Sequence, residues 1–426
     1  MHGRRARIRQ IAGAFALFVS LCAAARLSAQ PYIDLGIADS LAPDQPRAVL
    51  GLEDPANPGK IVGPNFFNTF LLDTGANGIV FADLAYFDSG PYALEHRTNG
   101  DVVIYDEQGV AGTEPLEVFQ PYLLNIAGDD GIVVPGTPLT RVFGRDDLNL
   151  GGLPGIAGMP VMVGRNVAMN LRPMTKPGFI ETSFPESLPA RTPNTYHVSM
   201  SMLPPVFTGQ QFPDDPLPTF APLPLVDGVR FTHNTSDSTN DLVLDTGAQL
   251  SFVGSEIAIS MGYDLDPNSP TTDLLDLDGN GIIDEDDYLP VGGIGGEVLV
   301  PFIRMDRMSV PTEEGIDLVF RDIEMGVLDI PGIGGIFSMN FLTTGYFDLI
   351  FGGGDPEEFG AFSDIYLDFT GVARGEEQAT LILEMNPLYN VVIVPEPTTP
   401  LVTVLLALTA IRRRASERPC RFAPTA

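Results

Sequence analysis

Short apolar runs separated by turn residues dominate the chain. Runs such as 70–72, 242–244 and 298–300 alternate with clusters rich in the 45 glycines and 38 prolines. Stretches with the 3.6-residue period of a helix are scarce, whereas short runs bounded by Gly, Pro, Asn and Asp predict β-strands. The 426 residues are enough for two domains. We therefore expect an all-β protein.

One phrase of sequence occurs twice in this pattern. Phe70-Leu71-Leu72 leads into Asp73-Thr74-Gly75-Ala76, and Leu242-Val243-Leu244 leads into Asp245-Thr246-Gly247-Ala248. A single Asp-Thr-Gly is weak evidence, because Asp and Gly are ordinary turn residues. Two copies in the same apolar frame predict a duplicated site. The alternative is that both are turn or calcium-binding aspartates on unrelated strands.

The repeat resembles the active-site motifs of the aspartic proteases. Its duplication within one chain is similar to the two-lobed, pepsin-like group, whereas the Ala after each Gly resembles the retroviral group. The resemblance implies a bilobal β-barrel fold with the active cleft between the lobes. It also implies a catalytic pair and the residues that shape it, with no cofactor for catalysis: Asp73 and Asp245, then Thr74, Gly75, Thr246 and Gly247.

Two close carboxylates suit peptide hydrolysis for a physical reason. They cannot both ionise cheaply, so they share a proton. The ionised group can act as a general base on water, and the protonated group can polarise the scissile carbonyl. Glycine lets the two loops approach each other.

Two hairpins are expected beside the motifs. Asp101–Tyr105 and residues 116–119 predict strands around a turn at 106–112, where the family places its flap, and Tyr105 matches the family's flap tyrosine. Residues 291–300 include Gly292-Gly293-Ile294-Gly295-Gly296, which resembles the glycine-rich flap tip of retroviral proteases. In the second lobe of a pepsin-like enzyme, this second hairpin would not be the working flap.

An acidic loop at 276–287 follows the second motif. It fits the calcium-loop pattern, with Gly281 at position 6 and Asp at position 12 as in dockerin-type loops. The alternative is an exposed acidic turn without metal. The expected calcium ligands, of which Ile282 would offer its backbone carbonyl, are Asp276, Asp278, Asn280, Ile282, Asp284 and Asp287.

Both ends of the chain resemble targeting segments. Residues 1–29 combine early arginines, an apolar run and Leu-Ser-Ala before Gln30, which is typical of a signal peptide. Residues 394–426 hold Pro-Glu-Pro, an apolar run at 401–411 and three arginines, and they resemble the PEP-CTERM sorting signal of bacterial envelope proteins. This tail is expected to be transmembrane until sorting machinery of the inner membrane cuts it. We expect export to the cell envelope, surface or extracellular matrix.

Composition excludes several kinds of catalytic and metal site between the two end segments. The two cysteines, Cys22 and Cys420, lie in the end segments, so thiol catalysis and cysteine metal sites are excluded between them. The four histidines have no zinc-ligand spacing. A net charge of −31 disfavours nucleic-acid binding.

These features predict an exported aspartic endopeptidase that acts on peptides or proteins and is a monomer. Its N-terminal lobe would span 30–190 and its C-terminal lobe 191–393, with the calcium loop as an insertion. One alternative is a noncatalytic cell-envelope protein that binds peptide or matrix on the same fold. Another is a calcium-dependent structural surface protein whose two motifs are coincidental.

Overall fold

The computed structural model describes residues 31–394 except 55, 58, 64–67, 89–93, 96–101, 135–138, 147, 149, 151, 176–178, 206–219, 347–359, 388 and 390–392. Residues 33–392 form one compact unit, and the sheets below belong to it. A second unit combines residues 1–32 with 393–426, of which only 31, 32, 393 and 394 are described.

Strands are the main secondary structure of the described chain. The strands of the first half are β1 (Tyr32–Ile37), β2 (Arg47–Glu53), β3 (Ile61–Val62), β4 (Thr69–Leu72), β5 (Ile79–Phe81), β6 (Ile104–Gly109), β7 (Gly112–Ala127), β8 (Val133–Val134), β9 (Thr140–Gly144), β10 (Gly155–Ala157), β11 (Asn166–Asn170) and β12 (Glu181–Ser183). Those of the second half are β13 (Thr195–Leu203), β14 (Leu223–His233), β15 (Ser236–Asp245), β16 (Phe252–Val253), β17 (Leu289–Gly293), β18 (Gly296–Val300), β19 (Phe302–Pro311), β20 (Asp317–Val327), β21 (Gly335–Ser338), β22 (Phe362–Asp368), β23 (Gln378–Met385) and β24 (Ile393–Val394).

Helices are few and short in the described residues. The α-helices are α1 (Leu84–Asp88), α2 (Ser255–Ser260) and α3 (Met339–Leu342). Single 3-10 turns lie at Met159–Val161, Arg172–Thr175, Glu285–Asp287 and Val372–Arg374.

Each half of the chain closes a sheet on itself. In the first half, β2, β4, β10, β5, β9 and β7 follow one another, and β7 pairs back onto β2. In the second half, β14, β15, β21, β16, β20 and β19 do the same, and β19 pairs back onto β14. The parallel and antiparallel pairings also correspond, since β10 and β21 run parallel to β4 and β15. The prediction of an all-β, two-lobed fold is therefore confirmed.

A third group of strands joins the two halves. In the order β12, β11, β22, β23 and β13, these strands extend the second sheet through the pairing of β13 with β14. β11 and β12 precede residue 190, and they pair with strands from the end of the chain. The larger sheet therefore takes strands from both sides of the expected division at 190.

The first hairpin differs from its predicted bounds. The strand expected to end at Tyr105 continues as β6 to Gly109, and a turn of two residues connects it to β7. The expected turn at 106–112 is therefore wrong, because Asp106 and Gln108 are polar residues on the exposed face of a strand. The return strand is also much longer than expected, because β7 pairs in turn with β6, β9 and β2.

The expected transmembrane character is corrected by the structure. No helix in the described part of the chain is long and apolar enough to cross a membrane. The signal peptide at 1–29 and the tail at 394–426, apart from Val394, lie outside the described residues.

Candidate active site

The two Asp-Thr-Gly motifs occupy the same place in the two barrels. Each aspartate follows three buried apolar residues, 70–72 at the end of β4 and 242–244 near the end of β15, and a parallel partner strand lies beside each of these runs. The backbone N–H of Asp73 donates to the Ala157 carbonyl, on the parallel strand β10, at 3.1 Å. Asp245 pairs in register with Ser338. The fold thus holds both loops at the end of a buried strand pair.

Asp73 and Asp245 lie side by side and share a side-chain hydrogen bond. Asp73 accepts from the Gly75 N–H at 2.7 Å. Asp245 accepts from the N–H groups of Gly247 and Ala248, each at 2.9 Å. These backbone donors fix the orientation of both carboxyl groups.

The electrostatics of the pair favour a shared proton. Burial raises the pKa of the Asp73 carboxyl. Burial, together with the negative charge of Asp73, raises the pKa of the Asp245 carboxyl well above its usual range. The pair therefore keeps a proton at pH values where exposed aspartates have lost theirs. Its apparent pKa values belong to both groups together.

Gly75 and Gly247 allow the loops to approach each other. A Cβ added to Gly75 would lie 2.5 Å from Cγ of Asp245. A Cβ added to Gly247 would lie 2.5 Å from Oδ2 of Asp73. Each glycine therefore leaves room for the aspartate of the other motif. The sequence alone indicated only that glycine would let the two loops approach each other.

The two threonines of the motifs link the loops beneath the carboxyl groups. Thr74 Oγ1 donates to the Leu244 carbonyl at 2.6 Å and accepts from the Thr246 N–H at 3.0 Å. Thr246 Oγ1 donates to the Leu72 carbonyl at 2.7 Å and accepts from the Thr74 N–H at 3.1 Å. All these groups are buried, so each hydroxyl satisfies two backbone groups that water does not reach.

Replacing Thr74 by Val is expected to lower the free energy of unfolding by about 2–5 kcal/mol, because the Leu244 carbonyl and the Thr246 N–H both lose their partner in a buried place. Denaturant unfolding measures the change. Thr239→Val is the matched control, since Thr239 is exposed on β15. An equal loss in both variants would show that the link between the loops contributes nothing specific.

Polar residues outside the motifs support the second loop. The Gln45 side chain donates to the Gly247 carbonyl. The hydroxyl groups of Ser251 and Ser338 both donate to Oδ1 of Asn340, at 2.6 and 2.7 Å. Ser338 follows Gly335-Ile336-Phe337 where the first half has Gly158 after Gly155-Ile156-Ala157, and it is thus a partner in a buried network. Sequence reasoning missed Gln45, Ser251 and Asn340, and no sequence signal connects Gln45 with a loop some 200 residues away.

The two hairpins meet at their tips. A Cβ added to Gly295 would lie 2.5 Å from the Gly112 carbonyl oxygen, and one added to Gly293 would lie 2.7 Å from Cγ2 of Val110. One added to Gly109 would overlap the Ile294 carbonyl. The β17–β18 hairpin is therefore in contact with the β6–β7 hairpin. The resemblance to pepsin-like enzymes had implied that this second hairpin would not be the working flap. Its glycines are needed for this close backbone approach.

Tyr105 lies on the inner face of the first hairpin. Its ring centroid is 5.3 Å from that of Phe143 and 5.1 Å from that of Phe220. The Phe220 ring in turn lies beside Gly78, just beyond the first motif, since a Cβ added to Gly78 would be 3.4 Å from this ring. Burial raises the pKa of the Tyr105 hydroxyl far above its usual range, and the nearby Glu107 carboxylate adds to the shift. The tyrosine expected in the flap is thus packed beside the loop that carries Asp73.

The acidic loop brings three of its expected ligands together. Carboxylate oxygens of Asp276, Asp278 and Asp287 lie within 4.8 Å of one another. Gly281 has a φ of +83°, which suits the tight turn at position 6. Asp287 is fully buried, and backbone N–H donors, that of Asp284 first, lower the pKa of its carboxyl.

Asp284, the remaining carboxylate among the expected ligands, is not in this group of three. Asp284 Oδ1 accepts from the Asp286 N–H, and Asn280 Oδ1 accepts from the Ile282 N–H, at 3.0 and 2.7 Å. Position 9 of such loops often binds calcium through water, so a position of Asp284 outside the group of three fits the pattern. Oxygen donors and negative charge are what Ca²⁺ requires, and the residues present fit this ion.

Comparisons with known proteins give distant similarity. No family model and no curated protein matches the chain. The crystal structure of EDGP is similar at 10% sequence identity and a TM-score of 0.38, over 79% of this chain and 95% of that chain. Conglutin gamma, a basic 7S globulin from lupine seeds, is similar at 10% identity and a TM-score of 0.40, over 82% of this chain and 99% of that chain. Similarity at this level leaves the function to be argued from the site.

Proposed function

We propose that the protein is an aspartic endopeptidase that hydrolyses peptide bonds with water activated by Asp73 and Asp245. The single observation that carries the proposal is the side-by-side placement of these two carboxyl groups, with raised pKa values. Two unrelated turn aspartates would have no reason to be buried against each other, because burial of two acidic groups is costly unless they share a proton.

The residues supply each step of such a hydrolysis. The ionised carboxyl removes a proton from water, which attacks the peptide carbonyl carbon. The protonated carboxyl donates toward the carbonyl oxygen and stabilises the tetrahedral intermediate. A proton then passes to the leaving nitrogen, the C–N bond breaks, and the pair returns to its singly protonated state. The backbone donors at Gly75, Gly247 and Ala248 hold both groups in place throughout.

The two hairpins would cover a peptide bound at the pair. Their tips contact each other through backbone at Gly109, Gly112 and Gly295. A peptide entering between the hairpins and the carboxyl groups requires this contact to open and close again, and such closure keeps bulk water from the reaction.

The same proposal includes a location and partners. The sequences of 1–29 and 394–426 support export to the cell envelope or beyond and removal of the tail by sorting machinery. The substrate would be a peptide or protein. The strong negative charge suits a soluble protein that acts as a monomer.

The proposal is tested with a quenched-fluorescence peptide library and the purified protein, assayed between pH 3 and 8. We expect internal cleavage of a subset of peptides. Absence of cleavage at every pH by a folded protein would contradict the proposal and favour the noncatalytic peptide-binding hypothesis.

We further propose that the 276–287 loop binds one structural Ca²⁺. Addition of millimolar CaCl₂ is expected to raise Tm, because an ion that binds only the folded state stabilises it by about 2.7 kcal/mol at 100 times its Kd. Asp276→Asn should abolish the shift, since Asp276 lies in the group of three carboxylates. Asp286→Asn is the matched control, because it removes one exposed charge from the same loop. Equal shifts in both variants, or none in the wild type, would contradict calcium binding here.

A further inference from the structure

Glu107 occupies the inner face of the first hairpin. Along β6, Ile104, Asp106 and Gln108 are exposed, whereas Tyr105, Glu107 and Gly109 are partly buried. This alternation is that of a strand with one covered face. Glu107 is therefore an acidic side chain on the face that carries the packed tyrosine.

The contacts on either side of Glu107 show what this face covers. Tyr105 packs against Phe220, which lies beside Gly78 of the loop after Asp73. Ala76 of the same loop and Tyr105 pack against the same apolar cluster. On the other side, Gly109 lies against Ile294 of the second hairpin. Glu107 is thus between the aromatic contact near the first motif and the meeting point of the tips.

Among the residues that the structure describes, none supplies Glu107 with a cationic partner. Its cross-strand neighbour on the same face is Glu114, which pairs with Arg145. Asp106 points to the exposed face. Within the part of the chain that the structure describes, no ion pair is made by Glu107, which interacts with the Tyr105 hydroxyl. Burial raises the pKa of the Glu107 carboxyl to about 7.

We propose that Glu107 is a specificity-determining residue that selects peptides with a Lys or Arg side chain beneath the first hairpin. The inference rests on the proposed peptidase function. A cationic side chain would supply the partner that the carboxyl lacks, and desolvation by the closed hairpins would strengthen the pair. A neutral side chain of the same length would leave the acid unpaired, so the preference follows from the cost of a buried charge without a partner.

The preference should depend on pH with a defined sign. Below about pH 7 the Glu107 carboxyl of the free protein is protonated and neutral, so it attracts a cation weakly. Above that pH it is ionised. The ratio of cleavage rates for a basic and a neutral peptide should therefore rise as pH increases from 5 to 8.

The test uses two peptides that differ only by Lys or norleucine at one position next to the cleaved bond. Both derive from a library peptide that the wild-type protein cleaves. For the wild type at pH 7.5, kcat/KM is expected to be about tenfold or more higher for the Lys peptide. Glu107→Gln should bring this ratio close to one and remove its pH dependence. Asp106→Asn removes a neighbouring exposed charge, and it should change neither the ratio nor its pH dependence.

The outcomes separate this inference from the peptidase function. Cleavage of both peptides with a ratio near one in the wild type, or an unchanged ratio in Glu107→Gln, would overturn the role of Glu107 alone. Failure of the wild type to cleave any library peptide would overturn both proposals. A far-ultraviolet spectrum and Tm of Glu107→Gln show whether the variant is folded, and Glu107→Asp should retain part of the preference.

Discussion

Replacing either Asp73 or Asp245 by Asn is expected to lower kcat/KM for peptide cleavage by about 10³-fold or more. Each substitution removes either the general base or the shared proton, and proton transfer by a positioned group is worth about 10²–10⁴-fold. The second carboxyl cannot replace the first, because the reaction needs one ionised and one protonated group at the same time. Initial rates on the best library peptide measure the change.

The same variants should remain folded, and their stability has an expected pH dependence. An acid whose pKa is raised by folding lowers the stability of the protein as pH rises from its unfolded pKa through its folded pKa, because its charged form is disfavoured in the native state. Asn carries no charge, so Asp245→Asn should have a Tm equal to or above that of the wild type at pH 8. Near pH 3, where both aspartates are protonated, the difference should be small.

Asp241→Asn provides the matched control for activity. Asp241 is exposed on the same strand as Asp245, and Asn can still accept the Gly228 N–H that Asp241 accepts at 2.8 Å. Its activity should stay within about twofold of the wild type, as for surface substitutions that keep their contacts. Full activity in Asp73→Asn or Asp245→Asn would contradict the proposed mechanism.

Replacing Gly75 or Gly247 by Ala is expected to reduce activity by about 10²-fold or more. The new Cβ of Gly75→Ala would lie 2.5 Å from Cγ of Asp245, a distance at which something must move. The aspartate is short and is held by backbone donors, so the two carboxyl groups would be forced apart. A displacement of about 1 Å at reacting groups can cost about 10²-fold in rate.

Gly78→Ala tests the geometric part of this prediction. A Cβ at Gly78 would meet Phe220 at 3.4 Å, which is an ordinary van der Waals contact. Gly78 belongs to the same loop, so both substitutions have a similar effect on the flexibility of the unfolded chain. We expect Gly78→Ala to keep most of the activity. Equal losses at residues 75 and 78 would show that the close approach of the loops is not the cause.

The duplicated site was predictable from sequence because its signal is local. An apolar run, an aspartate and a glycine occur in the same order around Asp73 and Asp245, so the sequence predicts a duplicated site, and the resemblance to the aspartic proteases implies that the two loops meet. The fold class followed from short apolar runs and abundant turn residues. The matching pairing order of the two barrels extends this duplication to whole sheets.

Contacts between distant segments could not be predicted in the same way. The Gln45 side chain donates to the Gly247 carbonyl, and the hairpin tips meet at Gly109 and Gly295. The sequence around each of these residues gives no indication of which distant segment it contacts. The bounds of the first hairpin were wrong because a polar residue on the exposed face of a strand resembles a turn residue. The calcium-loop pattern predicted Asp276, Asp278 and Asp287 together, but it did not show that Asp284 lies outside their group.

The most direct test of the paired carboxyl groups is the binding of pepstatin, a peptide whose hydroxyl imitates the tetrahedral intermediate. Isothermal titration would compare the wild type with Asp245→Asn. Intermediate analogues depend on groups that act in the transition state, and they bind about 10²–10⁸-fold tighter than substrates. We predict one bound molecule per wild-type protein and an affinity at least about 10²-fold lower in the variant. Equal affinity in both proteins, or no binding to the folded wild type, would contradict a catalytic pair at Asp73 and Asp245.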